Sequence, residues 1–168
     1  DHAFAEQKAS ASAVSLIINY SEETALVKEM TDIAIEEMEH FKMVHEIMIS
    51  RGMVLGMDQN SAYARHLIRF FPKTKDRTES LVNRLLISAV IEARSCERFK
   101  VLSENLEDKE LASFFKTLLA SEAGHYTTFL GFARLYQNRE LVDKKWSDFL
   151  DYEAAYMKEQ GKLALVHG

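Results

Sequence analysis

The most constraining feature of this sequence is a glutamate and a histidine, three residues apart, on the apolar stripe of a long predicted helix. Glu37 and His40 are one helical turn apart, so both side chains project from the same face. The rest of that face is apolar and consists of Met30, Ile33, Val44 and Ile47. An uncompensated carboxylate in a core is strongly destabilising. The chain must therefore provide a compensating partner for Glu37.

Length and composition predict one all-α domain. The chain has 168 residues, of which 47% are hydrophobic, and its one proline and six glycines favour long helices over short strands. A net charge of −5 does not indicate a general nucleic-acid binder. The single cysteine, Cys96, excludes an internal disulfide framework and is typical of a reducing compartment. No apolar run approaches the ~20 residues of a membrane span and no signal peptide is visible, so we expect a cytoplasmic protein without membrane contact.

Helical periodicity predicts four long helices and an additional C-terminal helix. The four cover about residues 1–19, 22–51, 76–104 and 108–137, and the additional helix covers about 141–160. Ser21 and Asp108 are predicted N-caps, and Gly52 is the predicted residue just after the second helix.

The connection between the second and third helices is long. Residues 53–58 indicate a loop, residues 60–71 a short helix that ends near Pro72, and the tail after Gly161 is expected to be loose. Two short hairpin connections and one long crossover are typical of a ferritin-like four-helix bundle, which is the fold class we predict for a single domain over residues 1–168.

An internal repeat relates the second and fourth predicted helices by a shift of 85 residues. The shift aligns Glu37 and His40 with Glu122 and His125. The apolar residues Leu26, Met30, Ile33 and Ala34 align in the same way with Leu111, Phe115, Leu118 and Leu119. One Glu-x-x-His motif is weak evidence, because both residues are common in helices, but two in register are a much stronger signal.

Each Glu-x-x-His helix is preceded by a helix that offers one carboxylate on its own apolar stripe. These carboxylates are Glu6 and Glu92, which lie 31 and 30 residues before Glu37 and Glu122. Glu97 is the rival of Glu92, but it falls off the stripe and breaks the spacing by five residues.

The predicted ligand set has four glutamates and two histidines, distributed one, two, one and two over four helices. The set is Glu6, Glu37, His40, Glu92, Glu122 and His125. Ferritin-like di-iron and di-manganese bundles have this pattern, with Glu6 and Glu92 as bridging or terminal ligands. Two divalent ions would offset four carboxylates, and oxygen with imidazole ligation suits iron or manganese, iron being favoured if oxygen is a substrate. The alternative is a helical interaction module in which all six are core residues without a metal.

Two residues lie one turn from predicted ligands. His2 precedes Glu6 and is a candidate to orient it, although a surface position is the alternative. Cys96 follows Glu92, and we expect either a position near the metals or a small buried residue.

Four stretches of the sequence resemble the tRNA 2-methylthio-N6-isopentenyladenosine hydroxylase family (MiaE type). They are Asp1-His2-Ala3-x-x-Glu6-x-Lys8-Ala9, Glu36-Glu37-Met38-Glu39-His40-Phe41, Ile91-Glu92-Ala93-Arg94-Ser95-Cys96-Glu97-Arg98-Phe99 and Ser121-Glu122-Ala123-x-His125. The third stretch is the most specific, because generic ferritin-like proteins lack its Arg-Ser-x-Glu-Arg-Phe run. The similarity reaches the end of the fourth predicted helix.

The resemblance implies a non-haem di-iron monooxygenase. Dioxygen would hydroxylate the isopentenyl group of a hypermodified adenosine beside the tRNA anticodon, with the six ligands above holding iron. Electrons would have to come from an external electron-donor protein, because the sequence contains no flavin or nucleotide motif. We expect no flavin or haem, and a monomer or dimer. Arg94 and Glu97 belong to the resembling run, and we expect them either in an ion-pair network behind the ligands or as an exposed pair. The functional alternative is another ferritin-like di-iron protein: a peroxidase, an iron store or a small-molecule hydroxylase.

A tRNA substrate requires a basic surface, and the crossover offers one. Its candidate phosphate-binding residues are Arg65, Arg69, Lys73, Lys75 and Arg77. Interleaved Tyr63, Phe70 and Phe71 could stack on an unpaired base, or could be core residues beneath a solvated basic face. A second, weaker basic cluster contains Arg134, Arg139, Lys144 and Lys145.

Overall fold

All regular structure in the computed structural model, which describes residues 1–57 and 62–160, is helical. The helices are α1 (His2–Asn19), α2 (Thr24–Ser50), α3 (Ala62–Phe70), α4 (Arg77–Asn105), α5 (Lys109–Tyr136) and α6 (Arg139–Gln160). The predicted all-α class is confirmed. The chain divides into two compact units, one containing α1 and α2 and the other α3 to α6. The single domain over residues 1–168 stays a prediction.

The first unit is a helical hairpin with a small-residue contact. Ala13 and Leu16 of α1 and Leu26 and Met30 of α2 are all buried. The Ser10 hydroxyl donates a hydrogen bond of 2.8 Å to the carbonyl oxygen of Ala34. A larger residue than serine at this position would separate the two helices.

Of the predictions for the two ends of α2, one is wrong and the other is confirmed. The predicted N-cap Ser21 is wrong, because residues 20–23 form a turn in which the Glu23 amide donates to the Tyr20 carbonyl, and α2 begins only at Thr24. At the other end, the prediction for Gly52 is confirmed. Its φ of +68° is in the left-handed region, and the Met53 amide donates to the Met48 carbonyl, which closes the helix.

The second unit contains the α4–α5 hairpin, whose helices begin at aspartate caps. The Asp76 carboxylate accepts a hydrogen bond from the Glu79 amide at 2.8 Å, and the Asp108 carboxylate accepts one from the Leu111 amide at 3.0 Å. The cap predicted at Asp108 is therefore confirmed. Phe99, Phe115 and Leu118 form a buried cluster between the two helices.

Helices α3 and α6 pack on each other and complete the second unit. Helix α3 ends at Phe70, close to the predicted stop before Pro72, and α6 begins after Asn138, whose side chain accepts from the amides of Glu140 and Leu141. Phe149 of α6 is fully buried. The predicted start of the short helix at residue 60, the end of the preceding loop at residue 58 and the predicted loose tail after Gly161 lie outside the described residues.

None of the described helices combines the length and apolar content needed to cross a bilayer.

Candidate metal centre

The α1–α2 hairpin brings three predicted ligands together. Glu6 projects from α1, and Glu37 and His40 project from one face of α2. All three side chains are buried, with Glu37 fully so. One ligand atom from each lies within 4.8 Å of the others. The first unit therefore presents two carboxylates and one imidazole as a potential metal-binding group.

The α4–α5 hairpin presents an equivalent group of two carboxylates and one imidazole. Glu92 projects from α4, and Glu122 and His125 project from α5. These side chains are also buried, and one ligand atom from each lies within 4.8 Å of the others. The rival residue Glu97 is different, because its side chain is 65% exposed and pairs with Arg94.

The charges within each group require compensation. Two ionised carboxylates with oxygens no more than 4.8 Å apart repel each other by roughly 3 kcal/mol or more at an effective dielectric constant of about 20. Burial adds the cost of removing both charges from water. Divalent cations would offset both terms, and carboxylate with imidazole donors is a set that iron accepts. The four carboxylates and two imidazoles are thus compatible with a di-iron site.

His2 is buried beside the first group. Its Nε2 atom donates a hydrogen bond to Oε1 of Glu6. Burial lowers the pKa of His2 to about 3, with the charge of His40 as a further cause, so the ring is neutral at physiological pH. This contact is of the kind by which a neighbouring side chain orients a ligand carboxylate.

Cys96 is only half-buried, on α4. Burial, and next the charge of Glu122, raise the pKa of its thiol to about 11. Metals bind the thiolate form, which is scarce at neutral pH for such a thiol.

Arg94 and Glu97 belong to an ion-pair network that contains a further residue, Glu153, which the sequence analysis did not identify. Arg94 donates from Nε at 2.8 Å and from Nη2 to the two oxygens of Glu153, and from Nη1 to Glu97. The Tyr63 hydroxyl donates to Oε1 of the same Glu153 at 3.0 Å. Glu153 lies on α6 and is fully buried. This residue was missed, although a carboxylate on the stripe of Val142, Phe149 and Tyr156 is the signal that identified Glu37.

The basic residues of the crossover are exposed, whereas its aromatic residues are packed. Arg65, Arg69, Lys73, Lys75 and Arg77 all face solvent. Tyr63 is buried, and the rings of Phe70 and Phe71 lie 5.0 and 4.8 Å from the ring of Phe149. The structure thus favours the core interpretation for these aromatic rings over stacking on a tRNA base.

The second basic cluster is largely neutralised by acidic neighbours. Arg134 and Arg139 both pair with Asp143, at 2.7 and 3.5 Å. Lys144 pairs with Asp148, and Lys145 pairs with Glu79. This cluster offers little free positive charge for phosphate groups.

Comparison with known proteins gives a family and two relatives that are all described as tRNA hydroxylases. Residues 1–168 match the family described as tRNA-(MS[2]IO[6]A)-hydroxylase (MiaE). The tRNA 2-(methylsulfanyl)-N(6)-isopentenyladenosine(37) hydroxylase of Pseudomonas putida is 40% identical over 139 residues, which are 81% of this chain and 65% of that protein. The hydroxylase of the same name from Salmonella typhimurium is 37% identical over 109 residues, 65% of this chain and 39% of that protein. The chain thus spans less than two thirds of the length of either relative.

A solved structure supports the fold class. A Synechococcus protein described as having aldehyde deformylating oxygenase activity superposes with a TM-score of 0.90 at 30% identity, covering 99% of this chain and 81% of that one. The predicted ferritin-like class is confirmed by this likeness. Since the family match covers the whole chain, this protein belongs to the tRNA-(MS[2]IO[6]A)-hydroxylase (MiaE) family.

Proposed function

We propose that this protein is a di-iron monooxygenase that hydroxylates the isopentenyl group of 2-methylthio-N6-isopentenyladenosine next to the tRNA anticodon. The observation that carries the proposal is the pair of buried ligand groups, one on each helical hairpin. The names of the two hydroxylase relatives supply the substrate. With this activity we propose a cytoplasmic location, because the proposed tRNA substrate is in the cytoplasm.

The proposed ligand set unites both groups in one dinuclear centre. It consists of Glu6, Glu37, His40, Glu92, Glu122 and His125. Glu37 and Glu122 are the least exposed of the four carboxylates, at 0% and 1%, and so depend most on cations. All four glutamates would supply carboxylate oxygens that hold the two metals. His2 would hold Glu6 in its ligating orientation through its hydrogen bond.

The chain supplies binding, orientation and exclusion of water, while the metal supplies the oxidation. When bound, two irons reduced by an external electron-donor protein would activate dioxygen for C–H hydroxylation. The overall reaction consumes one O2, two electrons and two protons, inserts one oxygen atom into the C–H bond and releases one water. Buried apolar residues beside the ligands, such as Met30, Ile33 and Leu118, keep bulk water away.

The tRNA backbone would be positioned by the exposed basic residues of α3 and the segment after it. Arg65, Arg69, Lys73 and Lys75 form no ion pair with any residue of the described ranges. Their charges are therefore free to replace the counterions of phosphate groups, despite the acidic total charge. We include Arg77 in this surface because its side chain is exposed and it lies two residues after Lys75.

A second candidate function is oxidation of a small apolar substrate by the same metal centre. The likeness to the Synechococcus oxygenase favours this alternative. It requires the same six ligands but no basic RNA surface. Iron storage and peroxide reduction have no comparable support from the solved structure.

Nucleoside analysis by mass spectrometry tests the proposal. Purified iron-loaded protein, a chemical reductant and air are supplied to tRNA that carries the isopentenyl nucleoside. We expect the nucleoside to gain one oxygen, Glu122→Gln to abolish the gain, and Arg65→Gln with Arg69→Gln to raise KM more than they lower kcat. A fatty aldehyde is assayed in parallel. Aldehyde turnover without any change in the nucleoside, at full iron occupancy, would refute the tRNA substrate.

A further inference from the structure

We infer that α3 is a tRNA-positioning helix whose seating on α6 is set by the buried carboxylate of Glu153. The inference rests on the proposed function and deepens it, because it names residues that control substrate binding without touching substrate. It concerns only the second unit, where α3, α4 and α6 lie. Glu153 and Tyr63 are positioning residues in this assignment.

Helix α3 has two chemically distinct faces. Tyr63 and Leu67 are buried, while Arg65 and Arg69, four residues apart, are exposed on another side of the helix. The positions of the basic side chains relative to phosphate groups therefore depend on how firmly the buried face of α3 is packed. A helix of nine residues is marginal in isolation, so its order depends on tertiary contacts.

Three side chains anchor this short helix to α6. The Tyr63 hydroxyl donates to Glu153, and the ring of Phe70 stacks on that of Phe149. Between these two contacts, the ring of His66 lies between two tyrosine rings of α6, with centroids 4.3 Å from Tyr152 and 3.9 Å from Tyr156. The anchors occur at the helical spacing of three and four residues. All of them therefore act on one face.

Glu153 is the charged member of these anchoring contacts, and it joins α6 to both α3 and α4. It is fully buried and receives two N–H groups of Arg94 and the hydroxyl of Tyr63. Arg98 lies 5.5 Å from the centroid of the Tyr63 ring. Arg94 thus pairs with two glutamates, Glu153 and Glu97, and Arg98 places a second positive charge against the Tyr63 ring. Burial, and next the charge of Glu153, raise the pKa of Tyr63, so the hydroxyl keeps its proton and remains a donor.

We call α3 seated when it is packed on α6. An equilibrium between the seated and the detached form of α3 affects the affinity for tRNA in a way that can be distinguished from the loss of a phosphate contact. If only the seated form of α3 binds tRNA, the apparent Kd rises in inverse proportion to the seated fraction. The phosphate contacts within the bound complex are unchanged, so the dependence of log Kd on log salt concentration keeps its slope. A substitution of a phosphate-contacting residue behaves differently, because it lowers that slope by roughly 0.7 to 0.9 per lost contact.

Hydrogen exchange of the α3 amides measures the seating directly. Tyr63→Phe removes one hydrogen bond to a charged group, and we expect the protection of the α3 amides to fall by about tenfold. Tyr156→Phe is the matched control, because it keeps its ring against His66 and its hydroxyl has no hydrogen bond within the described residues. Equal protection of α3 in the two variants would overturn the inference.

Binding of unmodified tRNA across a salt series to the purified full chain tests the link to substrate. We expect Glu153→Gln to weaken binding severalfold with an unchanged salt slope, whereas Arg65→Gln lowers the slope. Lys28→Gln, whose charge is already offset by Glu29 and Asp32, should change neither. Unchanged affinity in Glu153→Gln, or a reduced slope, would overturn the inference. Failure of the wild-type chain to bind tRNA at any salt concentration would instead refute the proposed substrate.

Discussion

At the scale of single residues, the proposed metal binding depends on four buried glutamates. A buried carboxylate needs a cation or several donors, and a group of two such carboxylates with one imidazole needs more positive charge than the imidazole provides. The same reasoning explains Glu153, which receives an arginine instead of a metal. Arg94 satisfies Glu153 because its planar group presents two N–H donors to one carboxylate.

Replacement of Glu37 by glutamine tests the metal assignment. Glu37→Gln keeps the shape of the side chain but removes a fully buried negative charge, so we expect bound iron to fall from about two per chain to below one. In the wild type, iron at about a hundred times its Kd should add about 2.7 kcal/mol per occupied site to the free energy of unfolding, and in the variant much less. The measurements are iron per chain and thermal unfolding with and without iron.

The control for this substitution is Glu39→Gln on the exposed side of the same helix turn. It removes one negative charge two residues away, and both iron content and iron-dependent stability should stay at wild-type levels. Full iron occupancy in Glu37→Gln would contradict the assigned ligand set.

At the scale of helices, caps and the buried positions of a helical stripe were predictable, whereas the partners of buried residues on other helices were not. Asp108 caps α5 through an amide three residues away, and Glu37 and Glu122 follow the 3.6-residue period, so both signals lie within one helix. Glu153 pairs with Arg94, 59 residues away, and its partner cannot be read from either helix alone. The N-cap prediction for Ser21 was wrong because a turn between α1 and α2 places the start of α2 two residues later than predicted.

Removal of the Asp108 cap should destabilise the α4–α5 hairpin. Asp108→Ala loses the hydrogen bond to the Leu111 amide, and we expect the free energy of unfolding to fall by about 1 kcal/mol. Glu107→Ala is the matched control, since Glu107 is an exposed neighbour outside the helix. Denaturant unfolding at equal protein concentration compares the two, and equal midpoints would show that the cap adds nothing.

At the scale of the whole molecule, the internal repeat is expressed as two hairpins that each hold half of the proposed ligand set. Each hairpin provides a carboxylate from its first helix and a Glu-x-x-His pair from its second. Two carboxylates and one imidazole per hairpin cannot complete the coordination of two irons in either unit alone. A shared dinuclear centre therefore requires that iron binding depends on both units together.

This dependence predicts that a substitution in one unit alters the response of the other to iron. In the wild type, iron should slow hydrogen exchange of α5 amides around Glu122, because the metal restrains the side chain and local opening would break its coordination. Glu37→Gln, in the first unit, should greatly reduce that slowing in α5 without changing exchange of α5 in the iron-free protein. Glu39→Gln should retain the wild-type response. If iron still protects α5 in Glu37→Gln to the full extent, each hairpin binds metal independently, and the shared centre and the single cooperative domain are both wrong.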